Sequence, residues 1–171
     1  MKSTGVVRRI DELGRIVIPK EIRRNLGIRD GENMEIFTEN DSIILKKYYR
    51  MATHSDLASN LCDLIYNNFN YKIIITDREK IIAHAGISSD LKGKLLNQEY
   101  LNILESREVT IKENTSEVIG EYTLNGNFVF IPIISLNDSI GLIIMYSDTP
   151  IKDEIVIGKL IASIFSQKLD I

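Results

Sequence analysis

The 171-residue chain contains one cysteine, two histidines and no tryptophan. A lone thiol, Cys62, excludes an intrachain disulfide and is typical of proteins kept in a reducing compartment. No apolar run approaches the roughly 20 residues that span a bilayer, and the first 15 residues lack the apolar core of a signal peptide. We therefore expect a cytoplasmic protein with no membrane partner.

Signatures of catalysis and of metal binding are also scarce. His54, His84 and Cys62 are far apart in the sequence, and their spacing does not match a zinc or haem site. The sequence has no Gly-rich phosphate loop, no HExxH motif and no nucleophile–base pair. The carboxylates of Asp77 and Glu79 fall in a predicted turn. We expect a protein that is not an enzyme and has no metal and no cofactor.

The charge is divided unevenly along the chain. Residues 1–50 carry 11 Lys and Arg against 8 Asp and Glu, whereas residues 51–171 carry 10 against 16. The net charge of −3 therefore hides a basic first segment and an acidic second one. Such asymmetry predicts two modules with different partners, which we place at 1–50 and 55–171 with a short, stiff linker at 51–54.

The first module has the pattern of short strands around one short helix. The pattern predicts strands over 5–10, 15–18, 34–37 and 42–47 and a helix over 20–26. Pro19 ends a strand and suits the start of the helix, and Gly27 suits its C-terminal cap. A domain of about 50 residues without disulfides or metals buries too little surface to be stable alone. We expect an obligate dimer in which strands of two chains form one core.

The second module has a helix–sheet–helix order. We predict helices over 55–69, 88–108 and 152–169 and strands over 71–77, 81–86, 109–112, 128–135 and 139–147. This order indicates an α+β fold, an antiparallel sheet with its first and last helices on one face. The polar segment 114–127 is predicted to be irregular, with a possible strand near 118–124, and it is where a lid over a ligand would lie.

Arginines interrupt the helical pattern of the first module. Ile22 and Leu26 share one helix face, so Arg23 and Arg24 must project outward. Arg8, Arg9 and Arg15 lie on the strands that lead into this helix. Arginine is permanently charged and forked, and it grips phosphate with two hydrogen bonds.

Two interpretations of this basic cluster remain open on charge alone. In the first, the arginines of a dimer form one surface that binds duplex DNA. In the second, Asp11, Glu12 and Glu21 pair with them in a solvated surface network.

The residues themselves resemble the AbrB-type swapped-hairpin DNA-binding domain. The shared signature runs from Thr4-Gly5 through Asp11, Gly14-Arg15 and Ile18-Pro19 to Leu26-Gly27-Ile28, and closes with IILKKY at 43–48. The resemblance implies an interleaved β-barrel made by two chains, with arginines of one face on double-stranded DNA. By position, the implied contacts are Arg8, Arg15, Arg23 and Arg24.

Charge alone adds Arg9 and Lys2 to these contacts, whereas Lys46 and Lys47 end a strand and are expected to be solvated. A helix of about seven residues reads few base pairs, so we expect modest sequence specificity with a contribution from DNA shape.

The second module resembles a GAF domain, a sensor fold that often holds a small ligand between sheet and loops. The two-part arrangement resembles transcriptional regulators of sporulation genes in endospore-forming bacteria, in which two dimers assemble into a tetramer through the sensor domains. Helices 55–69 and 152–169 are the natural surfaces for that assembly. An unidentified small ligand and a purely assembling module are both compatible with the sequence.

An antitoxin is the alternative function, because the same N-terminal resemblance occurs in toxin-neutralising proteins. Those typically end in a disordered tail that wraps the toxin. This chain ends in an ordered apolar pattern, which favours the regulator.

Overall fold

The computed structural model describes residues 4–169 of the chain. The chain divides into two compact units, with the division between Tyr48 and Tyr49. Each unit is described separately below. No helix of the described residues is long and apolar enough to cross a lipid bilayer.

The first unit contains one helix and one β-hairpin. Helix α1 spans Lys20–Asn25, strand β1 spans Met34–Glu39 and strand β2 spans Ser42–Lys47. The two strands pair antiparallel, with Glu39 opposite Ser42, so only Asn40 and Asp41 make the turn. Asn40 has a positive φ of 50°, as tight two-residue hairpin turns require. The strands predicted over 34–37 and 42–47 are confirmed.

The strands predicted at 5–10 and 15–18 do not form within one chain. This stretch has a turn at 12–14 but no ladder partner. No residue between 4 and 50 is buried, although this segment contains many valines, isoleucines and leucines. A segment with strand-like composition and no ladder of its own needs strands from another chain, because unpaired backbone groups and exposed apolar surface are both costly.

The second unit begins with a 3₁₀ turn, Arg50–His54, which runs directly into helix α2, Ser55–Phe69. The rest of the unit comprises β3 (Lys72–Thr76), β4 (Ile81–Ala85), α3 (Gln98–Ser106), β5 (Thr110–Ile119), β6 (Tyr122–Ser135), β7 (Asp138–Ser147) and α4 (Glu154–Leu169). The five strands form one antiparallel sheet in the order β4-β3-β7-β6-β5. Met51 of the 3₁₀ turn is buried in the core of this unit, so the first residue of the predicted linker packs with the second unit.

Strand residues alternate between two cores, one on each face of the sheet. Ile73, Ile75 and Ile131 face the core that α2 and α4 cover. Ile74, Phe130 and their even-numbered neighbours face the core that α3 covers. The first and last helices share one face, as predicted, with α2 over β3 and β4 and α4 over β6 and β7.

Helix α4 lies very close to the sheet because Gly158 faces it. A Cβ atom at this position would lie 2.1 Å from Cδ1 of Ile131 and 3.3 Å from Sδ of Met145. A larger residue would push the helix outward. The glycine therefore fixes the height of α4 above β6, and so fixes where the outer side of the helix lies.

The helix predicted over 88–108 is wrong in its first half. Residues 94 and 95 instead run beside β4: Ile81 N–H donates to the Lys94 carbonyl at 2.9 Å, and a single bridge joins Lys80 to Leu95. The helix starts only at Gln98, where Asn97 caps it through a bond from the Tyr100 N–H. Gly93, with φ of 82°, turns the chain before that point.

The expectation of an irregular segment at 114–127 is also wrong, because strand structure extends well beyond the possible strand near 118–124. β5 and β6 form a long hairpin around Gly120 and Glu121. Polar residues such as Ser116 and Asn125 lie on the outer side of this hairpin. They obscure the alternation of side chains with a period of two that indicates a strand in a sequence. A register shift between Lys112 and Thr115 breaks the pattern further.

Candidate nucleic-acid interface

Helix α1 presents Arg23 and Arg24 in its last turn. Pro19 precedes the helix, and the main chain closes it with two crossing bonds: Ile28 N–H to the Arg23 carbonyl, 2.7 Å, and Gly27 N–H to the Arg24 carbonyl, 3.2 Å. This is the Schellman arrangement, and Gly27 adopts the left-handed conformation that it requires, with φ of 61°. The cap fixes the end of the helix, and with it the backbone from which both arginines project.

A tight turn at residues 11–15 holds Arg15. The Asp11 N–H donates to the Arg15 carbonyl at 3.0 Å, and the Gly14 N–H donates to the Asp11 carbonyl at 2.9 Å. The Asp11 carboxylate accepts from the main-chain N–H of Arg15 at 2.7 Å and from Arg15 Nε at 2.8 Å. These bonds, the main-chain one first, lower the pKa of Asp11 below its ordinary value, so the carboxylate is ionised at neutral pH.

Arg23 is held by a second acid, Asp30. Arg23 Nη1 forms an ion pair with Asp30 Oδ1 across the capped end of α1. Asp30 is 91% exposed, whereas the Arg23 side chain is about one-third exposed. Of the acids in the alternative interpretation, Asp11 pairs with Arg15, and Asp30 adds a pair with Arg23 that this interpretation did not include.

No acid within residues 4–169 pairs with the side chains of Arg8, Arg9 or Arg24, which are exposed. The one side-chain hydrogen bond that these three arginines make there runs from Arg8 Nη1 to the Val7 carbonyl at 3.2 Å. Lys2 lies outside the described residues. Along the chain the candidates fall in two groups, Arg8, Arg9 and Arg15 around the turn and Arg23 with Arg24 on α1.

Lys46 was predicted to be solvated, and its side chain lies on the surface of the hairpin. Its Nζ lies 4.9 Å from the centre of the Phe37 ring, and the register places Glu35 opposite it. The contact with the Phe37 ring holds the ammonium group on the hairpin, which favours a structural use of this charge.

The second unit contains the lone cysteine of the chain and both of its histidines. Cys62 is buried, and burial raises the pKa of its thiol to about 12, so the thiolate that would act as a nucleophile does not form at neutral pH. Burial lowers the pKa of His84, whose Nε2 accepts the Leu91 N–H at 3.3 Å. Both residues pack as structural groups.

The space between the sheet and α3, where a GAF-type ligand is expected, is filled by side chains. Tyr100, Phe128 and Phe130 stack there and are fully buried. The Tyr100 hydroxyl donates to Glu117 at 2.9 Å. A cavity of about 290 Å³ lies elsewhere, between the end of α2, the end of β7 and the start of α4, and the Lys72–Asp148 ion pair lines it.

The outer sides of α2 and α4 carry apolar residues that their own sheet leaves uncovered. Leu160 is 62% exposed, Val156 69% and Leu64 52%. On α2 the buried residues are Ala58, Cys62 and Ile65. Leu57 and Leu61 pack against the same core, whereas Leu64 lies on the outer side of the helix.

Two family models match the chain. Residues 54–170 match the family described as stage V sporulation protein T C-terminal, transcription factor. Residues 7–51 match the family described as antidote-toxin recognition MazE, bacterial antitoxin. The first match covers the whole GAF-like module and the second covers most of the arginine-bearing module.

Two curated relatives come from Bacillus subtilis. Stage V sporulation protein T is 37% identical over 159 residues, which cover 86% of this chain and 85% of that protein. Transition state regulatory protein AbrB is 60% identical over 48 residues, which cover 28% of this chain and half of that protein. The resemblance of the first fifty residues to the AbrB type is confirmed.

Among solved structures, the GAF domain of an Acinetobacter phosphoenolpyruvate-protein phosphotransferase superposes with a TM-score of 0.55. The match covers 68% of this chain and 79% of that one at 13% identity. At this identity the likeness shows the fold alone. The α+β prediction, with a GAF-like antiparallel sheet and flanking helices, is confirmed.

Proposed function

Because this chain belongs to the stage V sporulation protein T family of transcription factors, we propose that it regulates sporulation genes by holding duplex DNA against a dimeric, arginine-rich surface. The contacts are Arg8, Arg9, Arg15, Arg23 and Arg24, with Lys2 beside them. Residues 1–50 bind DNA, residues 51–54 connect, and residues 55–171 assemble the chains. The protein acts in the cytoplasm, on the nucleoid.

The observation that supports this proposal is the surface of the first unit. It exposes its arginines and at the same time leaves every apolar side chain of residues 4–50 without full burial. A second copy that covers the apolar side of the hairpin would stabilise the unit and double the number of guanidinium groups around a two-fold axis. A phosphate backbone matches such a surface.

Binding of the full-length protein to a labelled duplex, followed by fluorescence anisotropy in dilute buffer, tests the function. We expect saturable binding that weakens steeply as salt is added, because each phosphate neutralised contributes about −0.9 to the slope of log affinity against log salt concentration. A protein that leaves the duplex unbound even in dilute buffer would contradict the proposal.

The GAF-like modules join two dimers into a tetramer through the outer sides of α2 and α4. Leu160 and Val156 on α4 and Leu64 on α2 supply exposed apolar surface for a bundle between chains. The filled interior below α3, where Tyr100, Phe128 and Phe130 are fully buried, favours assembly over ligand sensing as the main role. A small ligand of this module stays a prediction.

Leu160→Glu is expected to halve the mass of the particle, from four chains to two, because an unpaired carboxylate opposes burial in a bundle. Light scattering after size exclusion measures this. Asn102→Glu, an exposed position on α3 at the far side of the sheet, is the matched control and should leave four chains. A tetramer that survives Leu160→Glu would place the interface elsewhere.

An antitoxin is the second candidate, and the match of residues 7–51 to the MazE family favours it. The remaining two thirds of the chain favour regulation instead. Residues 154–169 form an ordered helix packed on the sheet, and not the disordered tail that is typical of antitoxins. A toxin gene adjacent to this one, whose product the chain inactivates in a growth assay, would favour the antitoxin.

A further inference from the structure

The two acids that pair with candidate arginines hold them in different ways. Asp11 Oδ2 binds Arg15 through Nε, the nitrogen nearest the stem of the side chain. Asp30 binds Arg23 through Nη1, a terminal nitrogen. A guanidinium group has five N–H donors, one on Nε and two on each terminal nitrogen. The choice of nitrogen decides which donors are left for a ligand.

Arg15 keeps its entire terminal fork. Within the part of the chain that is described, its two terminal nitrogens make no hydrogen bond, and the side chain is 71% exposed. Four N–H groups therefore point away from the protein in one plane. That is the donor set that matches a phosphate, or the O6 and N7 edge of a guanine, with two parallel bonds.

Asp11 is itself fixed, so it can fix Arg15. Its Oδ1 accepts from the Leu13 N–H at 3.1 Å and from the Arg15 N–H at 2.7 Å, which leaves Oδ2 aimed at Nε. A free arginine side chain has many rotamers, and ordering one on binding costs conformational entropy. A side chain ordered beforehand avoids most of this loss.

Asp30 acts in the opposite sense. It occupies a terminal nitrogen of Arg23, which a phosphate would also use, and it is almost fully exposed. Exposed ion pairs contribute little stability, because water and salt screen them. A phosphate can therefore displace Asp30, but at the expense of the existing pair.

We infer that Asp11 is a positioning residue for DNA binding, which aims the Arg15 fork outward, whereas Asp30 competes with DNA for Arg23. This inference rests on the proposed function. It assigns opposite effects to two carboxylates of the same charge in the same small unit. General electrostatics assigns them the same effect, because removing either one makes the surface more positive.

The test compares Asp11→Asn with Asp30→Asn in the full-length protein, by anisotropy with one duplex at one salt concentration. Asn at position 11 keeps an oxygen for the main-chain bonds of the turn but presents an NH₂ group to Nε. We expect Asp11→Asn to weaken binding about fivefold and Asp30→Asn to strengthen it about twofold. Tighter binding by both variants would overturn the inference.

A double-mutant cycle separates positioning from damage to the turn. In an Arg15→Ala background, Asp11→Asn should no longer weaken binding, because the side chain that it aims is gone. A loss that persists in this background would show that Asp11 acts through the fold, and would overturn the inference. If the unaltered protein does not bind the duplex, the proposed function itself fails. That result is distinct from tighter binding by both variants and from a loss that persists in the Arg15→Ala background.

Discussion

Replacing Ile43 with glutamate is expected to abolish duplex binding and to reduce the full-length particle from four chains to two. The strand register places Ile43, Leu45, Ile36 and Met34 on one side of the hairpin. Ile43 and Ile36 are 69% and 67% exposed in the single chain. If a second copy covers this side, each dimer must bury two unpaired carboxylates, which costs several kcal/mol and weakens DNA binding by more than about a hundredfold.

Ser42→Glu is the matched control for Ile43→Glu. Ser42 is the neighbouring residue, lies opposite Glu39 and faces the other side of the hairpin, since successive strand residues alternate. Light scattering should find four chains, and anisotropy should find binding close to that of the unaltered protein. If Ile43→Glu behaves like Ser42→Glu, the apolar side of the hairpin is not an interface.

Replacing Arg24 with alanine is expected to weaken duplex binding at least about tenfold, because a dimer loses two forked contacts, each of which contributes about 1–3 kcal/mol. Among the arginines, substitution of Arg24 gives the clearest test of a direct contact with DNA. It is exposed in the last turn of α1, and no acid among the described residues holds it. Its loss therefore removes a contact without releasing a partner carboxylate, as the loss of Arg23 would.

The control for Arg24→Ala is Lys80→Ala, which removes one exposed cation from the second unit. Both variants lower the net charge by one, so a general effect of charge would weaken binding equally. We expect binding by Lys80→Ala to stay within about twofold of the unaltered protein. Equal losses of affinity for the two variants would mean that Arg24 does not contact the DNA directly.

Local signals in the sequence predict much of the fold. The turn residues Asn40-Asp41 and Leu136-Asn137 lie where the two hairpins turn. Pro19 and Gly27 bracket α1 because one lacks an N–H and the other tolerates a left-handed backbone. These signals act within a few residues, so a single sequence contains them in full.

Features that depend on distant partners could not be predicted. The extended runs at 5–10 and 15–18 have strand composition but no ladder in the single chain. Leucines at 91, 95 and 96 suggested a helix, but residues 94 and 95 pair with β4 and its turn instead, which periodicity cannot reveal. The hairpin of β5 and β6 was hidden because its outer residues are polar and its register shifts at Lys112.

The candidate site also has features that the sequence predicts and features that depend on distant partners. The identity of the arginines follows from the sequence, as does the expectation that nearby acids could pair with them. The pairing of Arg23 with Asp30 depends on the Schellman turn, which brings residues seven positions apart into contact. Which guanidinium nitrogen each acid binds is a matter of geometry that no sequence pattern carries.

The most direct test of a shared arginine surface is the salt dependence of duplex binding by the unaltered protein and by Arg24→Ala. Two chains that meet one duplex present two Arg24 side chains, so the variant should neutralise two fewer phosphates. The slope of log affinity against log salt concentration should then become shallower by about 1.8. An unchanged slope would contradict the account, because it would mean that Arg24 contacts the phosphate backbone in neither chain.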